Sequence, residues 1–189
     1  MKSLVTLFFA LSLGFVASPV MAETPAEQAK KLSQPGDGHA ALKALVGKWS
    51  VMTTTGMTKK DGNGLTFGGT VERTFEMGNR FVKEVYEGRG PTGHPFAGAG
   101  YLGFDNKSKR YQGVWMTTFN THMVQYEGTL IADGKRFIFE GVEADAASEG
   151  KAFVMILEMK SPTEHVLTQE YQNPDKTKTV SFSTVYKKL

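Results

Sequence analysis

The stretch from Tyr111 to Tyr126 carries the strongest chemical signal of this sequence, because none of its sixteen residues has a formal charge. The chain as a whole is 22% charged, so three or four charges are expected in a stretch of this length. Trp115 and Tyr126 offer apolar surface, and Thr117 and His122 offer neutral hydrogen-bonding groups. Such a mixture lines small-molecule pockets, and it also lines an ordinary β-core. We predict that these four residues bind a small, mostly apolar ligand.

Two histidines raise an alternative function. His122 and His165 lie on or beside predicted strands, so either imidazole could reach the interior of a β-protein. A single imidazole can hold a haem iron axially, so haem or porphyrin binding stays open. Each histidine could equally be a hydrogen-bonded or rim residue. The sequence indicates no cofactor beyond this alternative.

Two carboxylates raise a second alternative, an enzyme. Glu140 follows an aromatic run, and Glu158 ends an apolar run. A carboxyl group buried in an apolar barrel can act as an acid or base, because burial raises its pKa. Period-two alternation favours the opposite orientation, with both side chains outside and paired with lysine across the strand. No catalytic residue is predicted, and a purely structural barrel filled by its own side chains also stays open.

Several functional classes are excluded by composition and motif context. The chain has no cysteine, which excludes disulfides, cysteine nucleophiles and cysteine metal sites. Two runs match the dinucleotide-binding glycine pattern, Gly88 to Gly93 and Gly98 to Gly103, but neither opens a helix as that chemistry requires. The net charge is only +3 and the basic residues are scattered, so no nucleic-acid surface is predicted. No metal site is predicted either.

The first 22 residues are typical of a signal peptide. Lys2 gives the positive start, Leu4 to Ala17 is an apolar run, and Pro19 breaks it before Val20-Met21-Ala22. The run is shorter than the roughly 20 residues that span a bilayer. We therefore expect cleavage at about Ala22 and export to a periplasm or the medium, with no membrane span in the mature chain. The sequence does not decide whether the protein forms a homodimer.

The remaining chain divides into a polar N-terminal segment, residues 23–38, and a single domain, residues 39–189. Thr24, followed by Pro25 and Glu27, predicts a capped helix through Lys31. Asp37 is the expected cap of a second short helix that ends before Gly47.

From Trp49 onward, turn residues separate about ten strand-like runs, with connections too short for parallel crossovers. We predict an all-β, antiparallel up-and-down barrel of about ten strands, because closure removes the exposed edges of so long a meander. The runs are Lys48–Thr55, Thr66–Met77, Phe81–Glu87, Phe96–Phe104, Arg110–Thr118, His122–Ile131, Arg136–Glu143, Ala152–Lys160, His165–Gln172 and Thr179–Lys187.

Gly47-Lys48-Trp49, directly after the short helix, resembles the signature of the calycin superfamily of lipocalins and fatty-acid-binding proteins. The resemblance implies that Gly47 and Trp49 form the closed base of a barrel. It also implies that a basic residue of the last strand, Lys187 or Lys188, lies across the indole ring.

A longer series of motifs resembles the bacterial family called domain of unknown function 1579. The motifs are His39 to Trp49, Gly78 to Phe81, Pro95 to Asp105 and Gly113 to Trp115. The resemblance covers about residues 39 to 187 and implies an exported, lipocalin-like barrel with no established activity. Members often carry an aspartate two residues after the tryptophan of the last motif, where this chain has Thr117.

Overall fold

The structure is a computed structural model that describes residues 23–56, 64–131, 133–143, 150–173 and 175–189. The predicted signal peptide, residues 1–22, lies outside the described residues. Within those ranges, no helix is both long enough and apolar enough to cross a membrane.

Ten antiparallel strands form a closed barrel in which each strand pairs with its neighbours in the sequence and β1 pairs with β10. This confirms the predicted ten-strand barrel, and every strand end lies within two residues of the prediction. The strands are β1 Gly47–Thr55, β2 Leu65–Glu76, β3 Phe81–Arg89, β4 Pro95–Asp105, β5 Arg110–Thr117, β6 Val124–Leu130, β7 Arg136–Val142, β8 Ala152–Ser161, β9 Glu164–Gln172 and β10 Lys178–Lys188.

Short helices precede the barrel. Helix α1, Pro25–Ser33, has the predicted capping box, in which Thr24 and Glu27 satisfy each other's backbone N–H groups. Helix α2, Asp37–Ala41, continues as a 3₁₀ turn, Leu42–Leu45. The prediction that Asp37 caps this helix is wrong, because Gly36 is the cap and Asp37 is the first helical residue.

The helices are fixed to the barrel by hydrogen bonds from turn residues. Arg80 donates to the carbonyl of Ser33 at 2.8 and 3.1 Å, and the amide of Asn106 donates to the carbonyls of Leu32 and Gln34. The last carbonyls of α1, which have no partner within the helix, are thereby satisfied. This gives a structural role to Arg80, which the sequence presents only as part of a motif.

The helical segment closes one end of the barrel, which we call the base. Leu42 and Leu45 are buried there among Val82, Tyr111 and Phe137. The base lies where β1 begins and β10 ends. The opposite end, where β2 begins and β5 ends, is called the mouth.

Candidate functional site

The barrel encloses a cavity of about 400 Å³ that extends from the core towards the mouth. Its wall is mostly aromatic and aliphatic, with a small number of polar side chains. Alternate residues of the strands face it, as the two-residue period of a strand requires. The apolar part of the wall includes Val51, Phe67, Phe96, Trp115, Val124, Phe139, Met155, Leu157, Leu167 and Phe182.

The uncharged hairpin forms one side of this cavity. Trp115 pairs with Val124 across β5 and β6, and Gly113 pairs with Tyr126, so the tryptophan and the tyrosine share the inner face. Trp115, Thr117 and Tyr126 are therefore brought together on the wall. His122 lies in the loop between the two strands, half-buried, and is not among the wall residues.

Glycines opposite the large rings make room for them. A Cβ at Gly98 would lie 2.3 Å from the Trp115 indole, and a Cβ at Gly113 would lie 2.3 Å from the Tyr126 ring. Such distances are far inside van der Waals contact, so any side chain at these positions would displace a wall residue. Gly98 and Gly113 therefore shape the cavity by leaving space for these two rings.

An ion pair lies inside the barrel, on the cavity wall. Arg73 of β2 donates from Nε to the Glu84 carboxylate of β3 at 2.5 Å, and its guanidinium lies 4.4 Å from the centre of the Tyr186 ring. Arg73 is 4% exposed. Burial disfavours its charged form, but the adjacent Glu84 carboxylate raises the pKa of Arg73 above its ordinary value. The guanidinium of Arg73 therefore keeps its charge inside the barrel.

Two tyrosines complete this polar cluster. Burial raises the pKa of Tyr126 and of Tyr186, and the Glu84 carboxylate raises both further. The two phenols therefore stay protonated and uncharged at neutral pH. The cluster of Arg73, Glu84, Tyr126 and Tyr186 consequently has no net charge.

A second polar group lies nearer the mouth. Gln169 and Tyr171 both donate to the Glu143 carboxylate, at 2.9 and 3.3 Å. Between the two groups, the hydroxyls of Thr53 and Thr184 form a 2.9 Å hydrogen bond. Glu143 is thus the second carboxylate that faces the cavity.

The carboxylates considered for catalysis lie outside. Glu140 is exposed, and Glu158 is half-buried and forms a 2.6 Å ion pair with Lys160. The alternative in which either is a buried acid or base is therefore wrong, and the favoured outward orientation is correct. The lysine that pairs with Glu158 lies two residues along the same strand, and not across from it as was predicted. Of the acidic residues that the structure describes, Glu84 and Glu143 line the cavity, and neither was predicted to do so from the sequence. A signal for Glu84 existed, because Val82 and Tyr86 alternate with it on one apolar face.

The histidines lie away from the cavity wall. His165 is 1% exposed and stacks on Trp49 with ring centres 4.3 Å apart, and its Nδ1 has no hydrogen-bond partner within the described ranges. A haem iron would need an imidazole on the cavity wall, and neither His165 nor His122 is there. Among the described residues, no three histidine, aspartate or glutamate side chains are grouped as a metal would require.

Trp49 occupies the base of the barrel as the calycin resemblance implies. It is fully buried, and its Nε1 donates to the Leu45 carbonyl at 3.0 Å. Lys188, the more C-terminal of the two lysines considered, places its Nζ 5.4 Å from the centre of the indole. Gly47 begins β1 beside it, with a φ of 134° that favours glycine.

His165 should make the stability of the barrel depend on pH. Burial, with Arg73 and Lys188 nearby, lowers the pKa of His165 to about 4. The unfolded chain, with a pKa near 6.5, then binds more protons between these two values. We expect the free energy of unfolding to fall as the pH drops from about 6.5 to 4. Urea unfolding across this range should show the slope, and His165→Gln should flatten it. An equal slope in that variant would contradict the prediction.

Comparisons with known proteins give a family and a fold. The family model described as "Protein of unknown function (DUF1579)" matches residues 34–188. No curated protein matches the chain.

Solved structures of similar fold include two natural proteins. Rv2717c from M. tuberculosis superposes with a TM-score of 0.59 at 14% identity, covering 82% of this chain and 99% of that protein. The S-type phycobiliprotein lyase CPES from Guillardia theta superposes with a TM-score of 0.53 at 10% identity, covering 82% of this chain and 98% of the lyase. At such identities the likeness concerns the fold.

Proposed function

This chain belongs to the DUF1579 family and has a lipocalin-like barrel fold, and we propose that it binds a small, mostly apolar molecule inside the barrel. The observation that carries the proposal is the cavity. Its volume of about 400 Å³ lies within the range of roughly 300–1,000 Å³ that is typical of ligand sites. A barrel that served only as a structural unit could fill this space with its own side chains.

The chemistry of the wall supports the same proposal. The aromatic and aliphatic side chains give a ligand apolar surface to cover, at about 25 cal/mol per Å² removed from water. The few polar groups, among them Thr117 and the Arg73–Glu84 pair, lie at separate levels of the cavity. Such a site holds the body of a ligand by burial and orients it by one or two hydrogen bonds.

The mouth offers a route into the cavity. Phe119, in the loop after β5, is 56% exposed and stacks on Phe96 of the wall with ring centres 4.5 Å apart. An exposed ring that continues an apolar wall gives an approaching ligand a first contact. We propose that ligands pass between the loops at this end, because the base is closed by Leu42, Leu45 and Trp49.

Native mass spectrometry tests the binding function directly. Protein isolated from the cells that produce it should carry a small molecule that is lost on denaturation. Addition of an environment-sensitive naphthyl dye to the stripped protein should give saturable fluorescence. Absence of both a co-purified molecule and dye binding would refute the proposal.

A cavity-blocking substitution gives a sharper prediction. Thr117→Trp adds an indole to the inner face of β5 near the mouth, and we expect it to weaken dye binding at least tenfold, or about 1.4 kcal/mol. Met116→Trp is the matched control, because the neighbouring residue points to the outer face of the same strand. Titration of both variants with the dye measures the effect. Equal affinities in the two variants would show that the dye binds elsewhere.

We further propose that the protein is exported, with the signal peptide removed after Ala22. The support comes from the sequence, in which Lys2 precedes an apolar run and small residues precede the cleavage point. N-terminal sequencing of protein from a periplasmic or extracellular fraction should begin at Glu23. Recovery of the uncleaved chain from the cytoplasm alone would refute this.

A further inference from the structure

Among the residues that the structure describes, two buried donors on the cavity wall have no hydrogen-bond partner. They are Nη1 of Arg73 and the hydroxyl of Tyr86, in side chains that are 4% and 5% exposed. Leaving a buried donor unsatisfied is costly, because the group loses its hydration and gains no partner, so such groups in a native protein call for an explanation. Both residues face the cavity, where the oxygen of a ligand could accept from them.

The charges around the cavity decide which kind of oxygen fits. Arg73 is already neutralised by Glu84, which lies against its Nε. The remaining charged wall residue is Glu143, so the formal charge of the described wall residues is negative at neutral pH. A ligand carboxylate would lose its hydration and meet no uncompensated cation.

We infer that the cavity selects a neutral ligand with a carbonyl oxygen, such as a ketone, ester or quinone, and that this oxygen accepts a hydrogen bond from Arg73. The inference rests on the proposed binding function and adds the chemical class of the ligand. The apolar body of the ligand lies against Trp115 and Phe96. Glu84 acts as a selectivity residue, because its charge removes the attraction that Arg73 alone would have for anions.

A matched pair of dyes tests this selectivity. The neutral naphthyl ketone Prodan and the dimethylaminonaphthoate that carries a carboxylate in place of its propanoyl group have the same ring system. We expect the wild-type protein to bind Prodan at least tenfold more tightly than the naphthoate. Prodan emission should also be red-shifted relative to an aprotic solvent, because a hydrogen bond to its carbonyl lowers the energy of the excited state.

Substitutions at the Arg73–Glu84 ion pair separate the contribution of the Arg73 hydrogen bond from that of the Glu84 charge. Arg73→Met should weaken Prodan binding roughly tenfold or more, as loss of a charged donor implies, and shift its emission to the blue. Arg110→Met is the matched control, since Arg110 pairs with Glu127 at 3.1 Å and is absent from the wall. Glu84→Gln keeps an acceptor beside Arg73 and should reverse the preference in favour of the naphthoate. If Arg73→Met does not fold, the dye preference of the conservative Glu84→Gln variant tests the inference by itself.

The outcomes distinguish the two proposals. Failure of both dyes to bind would refute the binding function itself. Prodan binding that Arg73→Met and Glu84→Gln leave unchanged would overturn the carbonyl inference and leave the binding function standing. Tighter binding of the naphthoate to the wild type would also overturn it.

Discussion

Glu84→Leu is expected to lower the free energy of unfolding by about 3 kcal/mol, because it leaves the Arg73 guanidinium buried and uncompensated. Breaking a buried pair from one side typically costs 3–5 kcal/mol. We expect a loss at the lower end of this range, because 24% of the Glu84 side chain is exposed and the pair is partly solvated. Arg73→Met should be destabilising for the same reason, as it leaves the carboxylate without its partner. The double variant should be more stable than either single one, because apolar side chains can replace a buried pair at little cost.

A double-mutant cycle in urea measures this coupling. The matched control is the ion pair between Lys48 and Glu72 on the outer face, where the atoms are 3.5 Å apart and both side chains are more than half exposed. Replacing those residues by Met and Leu should change the free energy of unfolding by at most about 1 kcal/mol. If the single variants at Arg73 and Glu84 were as mild as this control, the interior pair would not be held in a low-dielectric environment.

The fold could be predicted from the sequence because its signals are local. Turn residues such as Gly78-Asn79 and Asp105-Asn106 separate the strands, and a meander pairs each strand with its neighbours. The only long-range decision is that β1 meets β10, and the instability of exposed edges favours it. The cap of α2 was assigned one residue too late, because Asp37 is a common cap and Gly36 satisfies the geometry without a side chain.

The cavity could be predicted only in part, because it depends on which face of each strand points inward. Trp115 and Tyr126 are eleven positions apart in the sequence. Whether they share a face is uncertain until the length of the β5–β6 loop is known, because a one-residue shift moves a side chain to the other face. Arg73 and Glu84 belong to different strands and meet only through the pairing of β2 with β3. Apolar residues alternate along the inner face of both strands, and a charged residue interrupts each series, which hid the pattern in the sequence. The apolar residues are Val71, Phe75, Val82 and Tyr86.

The position of Thr117 on the cavity wall gives a functional reason for the absence of charge in the hairpin. The family resemblance implies an aspartate at this position in other members, and Thr117 faces the cavity near the mouth. Together with Glu143, an aspartate would make the wall more negative. Threonine supplies a hydrogen-bonding group to the wall without adding a charge. This is compatible with a neutral ligand whose polar end lies deeper in the cavity, at Arg73.

Trp49→Ala is expected to lower the free energy of unfolding by about 4 kcal/mol, the usual loss for a fully buried aromatic ring. The substitution opens a hole beside His165 and removes the donor to the Leu45 carbonyl, which ties the 3₁₀ turn to the base. It also removes the ring beside Lys188. Trp49→Phe should be milder, because it keeps most of the packing and loses mainly the hydrogen bond, worth about 1 kcal/mol.

The chain's other tryptophan is the natural control for this prediction. Trp115 is half-buried on the cavity wall, so Trp115→Ala should leave urea unfolding nearly unchanged while weakening dye binding. Trp49→Ala should lower the stability to urea and leave dye binding nearly unchanged in any protein that remains folded. Water that reaches His165 in this variant should return the pKa of His165 towards 6.5 and flatten the pH dependence of unfolding. Equal effects of the two substitutions on stability would contradict the assignment of one tryptophan to the base and the other to the ligand.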